Sequence, residues 1–164
     1  MNAADVELCV ASRFNPRQFS LCPNISWGFN AIGNREADLL VVPQSRWCYE
    51  IEIKVSKSDI KADLMKRHTH SGPVIRKAWF AVPAELAGDE NIPDYCGVLA
   101  CSVGRAYKCR EIRPPVVNKM ARKLTNNEYE KLLELMVYRV WTLKRHLATQ
   151  RSFVNSKRNK EASK

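Results

Sequence analysis

The stretch Tyr49-Glu50-Ile51-Glu52-Ile53-Lys54-Val55 alternates charged and branched apolar residues without a break. Side chains of an extended strand point to two faces in turn. Glu50, Glu52 and Lys54 therefore share one face, and Ile51, Ile53 and Val55 share the other. A solvated edge strand would show the same alternation, but two neighbours argue for an interior position. Leu39-Leu40-Val41-Val42, within a strand predicted over 37–42, is apolar on both faces, as interior strands are. Pro43-Gln44-Ser45-Arg46 then leads into a strand over 47–55, which suits an antiparallel hairpin. A helix is predicted to open at Ser56, directly after the charged strand. Charges inside a sheet are costly unless they are paired or bound to metal. Asp38, carried on the neighbouring strand, and Glu52 make a candidate pair for a divalent cation, with Lys54 beside them.

The other elements follow from spacing and punctuation. Val6, Val10 and Phe14 recur every fourth residue in a helix over 3–14, closed by Asn15-Pro16. A strand with Trp27 and Phe29 is expected over 24–30, and Gly33-Asn34 marks a turn. Ser56 with Asp59 three residues on forms a capping pattern for the helix carrying Ile60 and Leu64. Ala78-Trp79-Phe80-Ala81-Val82 is a buried strand, and a last pair is expected over 96–102 and 105–109. Pro114-Pro115 ends this body. A long helix over 126–147 carries Tyr129, Leu132, Leu133, Met136, Val140, Leu143 and Leu147 on one stripe, read as covering the core. The order predicts a mixed α/β sandwich rather than a βαβ repeat. At 164 residues the chain fits one domain over 1–147, with its core over 3–110, a helical extension over 115–147 and a basic flexible tail over 152–164.

Charge is unevenly placed. The net charge is +10, and residues 113–164 supply 13 basic against 4 acidic side chains. Such an excess favours a polyanionic partner. It is also what a solvated helix face with a frayed Lys-rich tail would show. No apolar run is long enough for a membrane span, and the first residues lack the basic and apolar segments of a signal peptide. The six cysteines, Cys9, Cys22, Cys48, Cys96, Cys101 and Cys109, form no C-x-x-C pair and are expected to be reduced core residues of a cytoplasmic protein. Zinc held by Cys96, Cys101 and Cys109 is the alternative, at an irregular spacing.

The carboxylate strand permits specific chemistry. Mg²⁺ takes oxygen ligands, often one or two carboxylates with water and substrate phosphate. A bound cation acidifies a coordinated water and polarises a phosphoryl oxygen, and a nearby lysine can orient the water or neutralise charge growing on phosphorus. No G-x-S-x-G, P-loop, G-x-G-x-x-G or H-E-x-x-H motif offers another chemistry.

At these residues the chain resembles the PD-(D/E)XK nuclease superfamily. Asp38, followed 14 residues later by Glu52-Ile53-Lys54, looks like its D…E-x-K signature. Within it the MmcB-like DNA repair group of bacteria and phages is the nearest likeness. There, E-I-K-x-S precedes a helix with two Asp and a strand ending in F-A-V-P. Here these are Glu52 to Ser56, Asp59 and Asp63, and Phe80 to Pro83. Ala37 stands where the signature has Pro. The resemblance implies a restriction-endonuclease-like sandwich, a mixed central sheet flanked by helices, with an added C-terminal helix. It implies a metal-dependent nuclease that hydrolyses DNA phosphodiesters in repair, recombination or phage DNA processing, in a bacterial cell or a phage-infected host. Mg²⁺ or Mn²⁺ would be held by Asp38, Glu52 and the backbone carbonyl of Ile53, with Glu7 of the first helix as a further candidate, and Lys54 would be the catalytic lysine. Glu36 and Glu50 are extra acids. Lys57, Lys61, Lys66, Arg67, Lys144 and Arg145 are candidates for DNA contact; for those of the helix after the catalytic strand the alternative is pairing with Asp59 and Asp63. His68 and His70 are candidate proton carriers or plain loop residues. RNA remains open as a substrate, as does a homodimer. The rival reading is a DNA-binding or scaffolding protein that keeps the fold without turnover.

Overall fold

The hairpin expected around Pro43 organises the molecule. In the computed structural model, which describes residues 1–25, 29–33, 36–64 and 72–162, β2 (Ala37–Pro43) and β3 (Cys48–Ile53) are antiparallel, with Leu39 opposite Ile51 and Leu40 opposite Glu50. The turn closes by a hydrogen bond from the Arg46 amide to the Pro43 carbonyl at 3.0 Å, with Arg46 itself at φ 67°. Arg46 spends that left-handed conformation to stack its guanidinium over Tyr129, 3.5 Å from the ring centre.

Six strands lie in chain order in one sheet. β1 (Phe19–Ile25) pairs antiparallel with β2, β3 pairs parallel with β4 (Ile75–Pro83), β4 parallel with β5 (Gly97–Val103), and β5 antiparallel with β6 (Tyr107–Arg113). A parallel neighbour needs a crossover, and α2 (Lys57–Leu64) lies in the one between β3 and β4. Its start is the expected capping pattern: Ser56 Oγ accepts from the Asp59 amide, and Asp59 accepts from the Val55 amide. The expected mixed α/β sandwich with a C-terminal helix is the fold observed.

Each sheet face has its own core. α1 (Ala3–Arg13) lays Val6, Cys9 and Val10 on Leu39, Val41, Ile51, Ala81 and Leu99. The opposite face gathers Leu40, Val42, Ile60, Phe80, Val82 and Val98 with Leu124 and Leu132. Each such side chain contributes about 1.5–3 kcal/mol by leaving water. β3 lies between β2 and β4, with Glu50 fully buried and Glu52 3% exposed, so the solvated-edge reading of this strand is excluded.

Several elements differ from expectation. The first strand covers Phe19–Ile25 rather than 24–30, and Pro23 is tolerated because β1 is an edge strand; Trp27 lies outside the described residues. β6 reaches Arg113, beyond the expected 105–109, because Arg113 is anchored by hydrogen bonds to the Cys96 and Pro93 carbonyls. Residues 114–125 form no helix. They make a strap whose Val116, Asn118, Arg122 and Leu124 amides bond the carbonyls of Tyr95, Arg76, Pro73 and Arg46. α3 then starts at Thr125, which caps it with Glu128, and Arg122 holds the Glu128 carboxyl down to about 2. α3 runs Asn126–Ala162, 37 residues, so its helix continues through the segment expected as a flexible tail. No Gly or Pro interrupts that stretch, and Lys, Arg and Ala sustain a helix. The stripe expected to cover core does so only at its start. Leu132 is fully buried, whereas Leu133, Val137, Val140, Leu143 and Leu147 are exposed.

Glycine is required at position 97. A Cβ there would collide with the Trp79 ring and stand 2.9 Å from the Pro115 nitrogen. Gly97→Ala is therefore expected to lower unfolding free energy by about 1–3 kcal/mol in urea titrations. Gly104→Ala, with nothing within 4 Å of its Cβ, is expected to stay within about 0.5 kcal/mol of the parent.

Candidate active site

The C-terminal end of β3, the start of β2 and the inward face of α2 bring four charged side chains together. Lys54 Nζ lies 2.8 Å from Glu52 Oε2, 3.2 Å from Asp63 Oδ1 and 3.9 Å from Asp38 Oδ2. Continuing the β2–β3 register sets Asp38 opposite Glu52, on the same face of the sheet. Lys54 is fixed from behind, its amide donating to the Ala81 carbonyl of β4 at 3.1 Å.

Burial sorts these groups. Glu52, Lys54 and Asp63 have side chains 3%, 5% and 4% exposed, whereas Asp38 is 38% exposed. Asp38 thus forms the open side of a site whose other members lie inside. The Ile53 amide donates to Asp38 Oδ2 at 2.8 Å. Within an extended strand the N–H and C=O of one residue point to the same side, so the Ile53 carbonyl faces the edge that carries Asp38.

The electrostatics are those of an acid-rich cluster around one ammonium. Burial works to strip the Lys54 proton, but Glu52, Asp38 and Asp63 outweigh it and hold Lys54 above the ordinary lysine value. Burial first, and then Asp38, push Glu52 above the usual carboxyl range against the pull of Lys54, and Glu50 adds to the rise. Three carboxylates, those of Glu52, Asp63 and Asp38, lie within 4 Å of the Lys54 ammonium, a set of hard oxygen donors that would suit Mg²⁺ or Mn²⁺. Among the described residues no group of three or more His, Cys, Asp or Glu side chains is set to hold a metal by itself. Asp38, Glu52 and the Ile53 carbonyl are the groups that would hold a cation here, one that keeps water and takes phosphate oxygens as Mg²⁺ does.

Glu7 is half-buried on α1 and close enough to Asp38 to feel its charge. Its carboxyl is raised by burial and by Asp38, against Arg139. Two residues of the site escaped the sequence reading. Spacing along α2 offers Asp63 as a surface partner of its lysines. Its spacing of three from fully buried Ile60, on the inward stripe of α2, was the signal for its burial. Arg139 reaches the same end of the sheet from α3, donating to the Asn24 carbonyl at 3.4 Å, and no local pattern marked it.

Lys57 and Lys61 are exposed and act on the carboxyl of Asp89 rather than pairing along α2. Lys144 and Arg145 are exposed on α3, away from the cluster, with Lys144 over the Trp141 ring at 4.8 Å. Glu36 is exposed. Lys66, Arg67, His68 and His70 lie outside the described residues. The cysteines are free thiols, and burial pushes Cys22 and Cys96 up to about 12. Cys96 belongs to one face of the sheet and Cys101 to the other, so the three-cysteine zinc set is not assembled.

No family model matches the chain, and no curated protein matches it. Among solved structures it is similar to the SPO1766 protein of unknown function from Silicibacter pomeroyi, with TM-score 0.66 and 18% identity over 88% of this chain and 92% of that one. That likeness shows the fold. Among the described residues no helix is long and apolar enough to cross a membrane.

Because folded Glu52 holds its proton more tightly than an ordinary carboxyl, its contribution to metal-free stability is present at low pH and lost as pH rises through its raised value. Metal competes with that proton. Added Mg²⁺ or Mn²⁺ is thus expected to raise the melting temperature, more at pH 8 than at pH 5. Asp38→Asn and Glu52→Gln should abolish the rise in the same thermal scans.

Proposed function

We propose that the chain is a metal-dependent nuclease that hydrolyses DNA phosphodiester bonds. The observation carrying this reading is the juxtaposition of Asp38, Glu52 and Lys54 in a buried acidic cluster whose open side is Asp38. A divalent cation bound there would supply an acidified water as nucleophile and polarise the phosphoryl oxygen. Asp38 and Glu52 would hold that cation with the Ile53 carbonyl. Lys54, held charged by its carboxylates, is a proton donor and not a base. Its ammonium would hydrogen-bond a non-bridging phosphate oxygen and offset the charge that grows there. Glu52 and Asp63 orient it. Lys57 and Lys61 on α2 would meet the backbone of the nucleic acid.

A second reading is supported by one observation. The Lys54 ammonium already neutralises part of the carboxylate cluster, as a permanent counter-ion would in a binding protein without turnover.

Cleavage of end-labelled linear, nicked and flapped DNA with Mg²⁺ or Mn²⁺ separates the two. The wild type is expected to cleave at least one substrate. Lys54→Ala is expected to reduce the rate by about 100-fold or more, by the loss of one electrostatic stabiliser, with DNA affinity nearly unchanged. Removing a buried ion-pair partner costs about 3–5 kcal/mol, so circular dichroism must show that variant folded. Asp38→Asn, at the half-exposed ligand, gives the same test with less risk to the fold. Equal cleavage by wild type and both variants would contradict the proposal, and binding without cleavage would establish the second reading.

A further inference from the structure

The exposed apolar face of α3 is symmetric along its own length. Leu133, Val137, Val140, Leu143 and Leu147 stand at −7, −3, 0, +3 and +7 relative to Val140, within about 60° either side of one line along a helix of 3.6 residues per turn. All five are 39–59% exposed, on a segment about 21 Å long. The helix touches the core through Tyr129, Leu132, Leu135 and Met136 in its first turns, and Arg139 bonds the Asn24 carbonyl. From Leu143 to Arg151 every residue is exposed. An exposed row of this length needs a partner.

We infer that this face pairs with α3 of a second copy of the chain, antiparallel, about a two-fold axis at Val140. Such an axis sets Leu133 against Leu147 of the second copy and Val137 against Leu143. Charge fixes both the partner and the direction. Residues 126–134 carry three glutamates against one lysine, whereas 139–151 carry Arg139, Lys144, Arg145 and Arg151 with no acid. Antiparallel pairing lays the acidic part of each helix along the basic part of the other, with Glu130 beside Arg151 of the second copy. Parallel pairing would set basic against basic. The free half of each helix would lie beside the anchored half of its mate, a closed isologous contact. The inference is independent of the nuclease reading.

Light scattering and sedimentation of the full chain at about 10–100 μM are expected to give twice 18.8 kDa. Val140→Glu sets two carboxylates face to face on the axis. It should weaken the dimer by about 100-fold or more, with unchanged circular dichroism, since Val140 is half-exposed. For direction, single cysteines are oxidised with glutathione disulfide, which is reduced as the inter-chain disulfide forms, with wild type as background. Val140→Cys is expected to cross-link with itself. Leu133→Cys and Leu147→Cys should cross-link only when mixed. A monomeric wild type, including one that instead binds anionic vesicles or DNA through this face, would overturn the inference. So would a dimeric Val140→Glu, or self-cross-linking of Leu133→Cys.

Discussion

Burying the Lys54 ammonium costs several kcal/mol, and the arrangement of residues at that end of the sheet offsets it. Glu52 accepts its hydrogen bond from the same strand, Asp63 approaches from α2, and Asp38 stands opposite on β2. Each partner comes from a different element, so the cluster forms only when the hairpin and the crossover helix are in place. Interior placement of β3 is what makes these charges a site. On an edge strand the same residues would be solvated and their interactions would be worth little.

Among the described residues three carboxylates lie within 4 Å of the Lys54 ammonium. That imbalance gives Glu52 its raised pKa and Lys54 its firmly held proton. A divalent cation would relieve the first without disturbing the second. Asp38 is the exposed member of the cluster, and the buried Lys54 ammonium lies 5.9 Å from the centre of the Phe80 ring. Arg139 and Glu7 bring α3 and α1 to the same end, so both helices bear on the open side.

Much of this was legible in the sequence because strand alternation is strictly two-fold. Reading Glu50, Glu52 and Lys54 onto one face, and pairing that strand with Leu39 to Val42, needed only the pleat and the hairpin. The order of elements gave the mixed sandwich. What stayed hidden depended on distance in the chain. Asp63 looked like a surface helix acid, because its partner Lys54 lies on a strand rather than on α2. The position of β1 was misplaced toward Trp27, since an apolar pair outweighed the Pro23 that an edge strand tolerates. The strap over 114–125 has no period to read, being held by single amides bonded to four different segments. The apolar stripe of α3 was visible, but periodicity cannot tell whether a helix covers its own core or another surface, and most of this stripe is bare.

The most direct test of the metal-site account is anomalous diffraction from crystals of the wild-type chain soaked in Mn²⁺. The account requires a peak bonded to the carboxylates of Asp38 and Glu52 at about 2.1–2.2 Å, with Lys54 Nζ beside it. Mn²⁺ bound elsewhere on the chain, with no peak between Asp38 and Glu52, would contradict it.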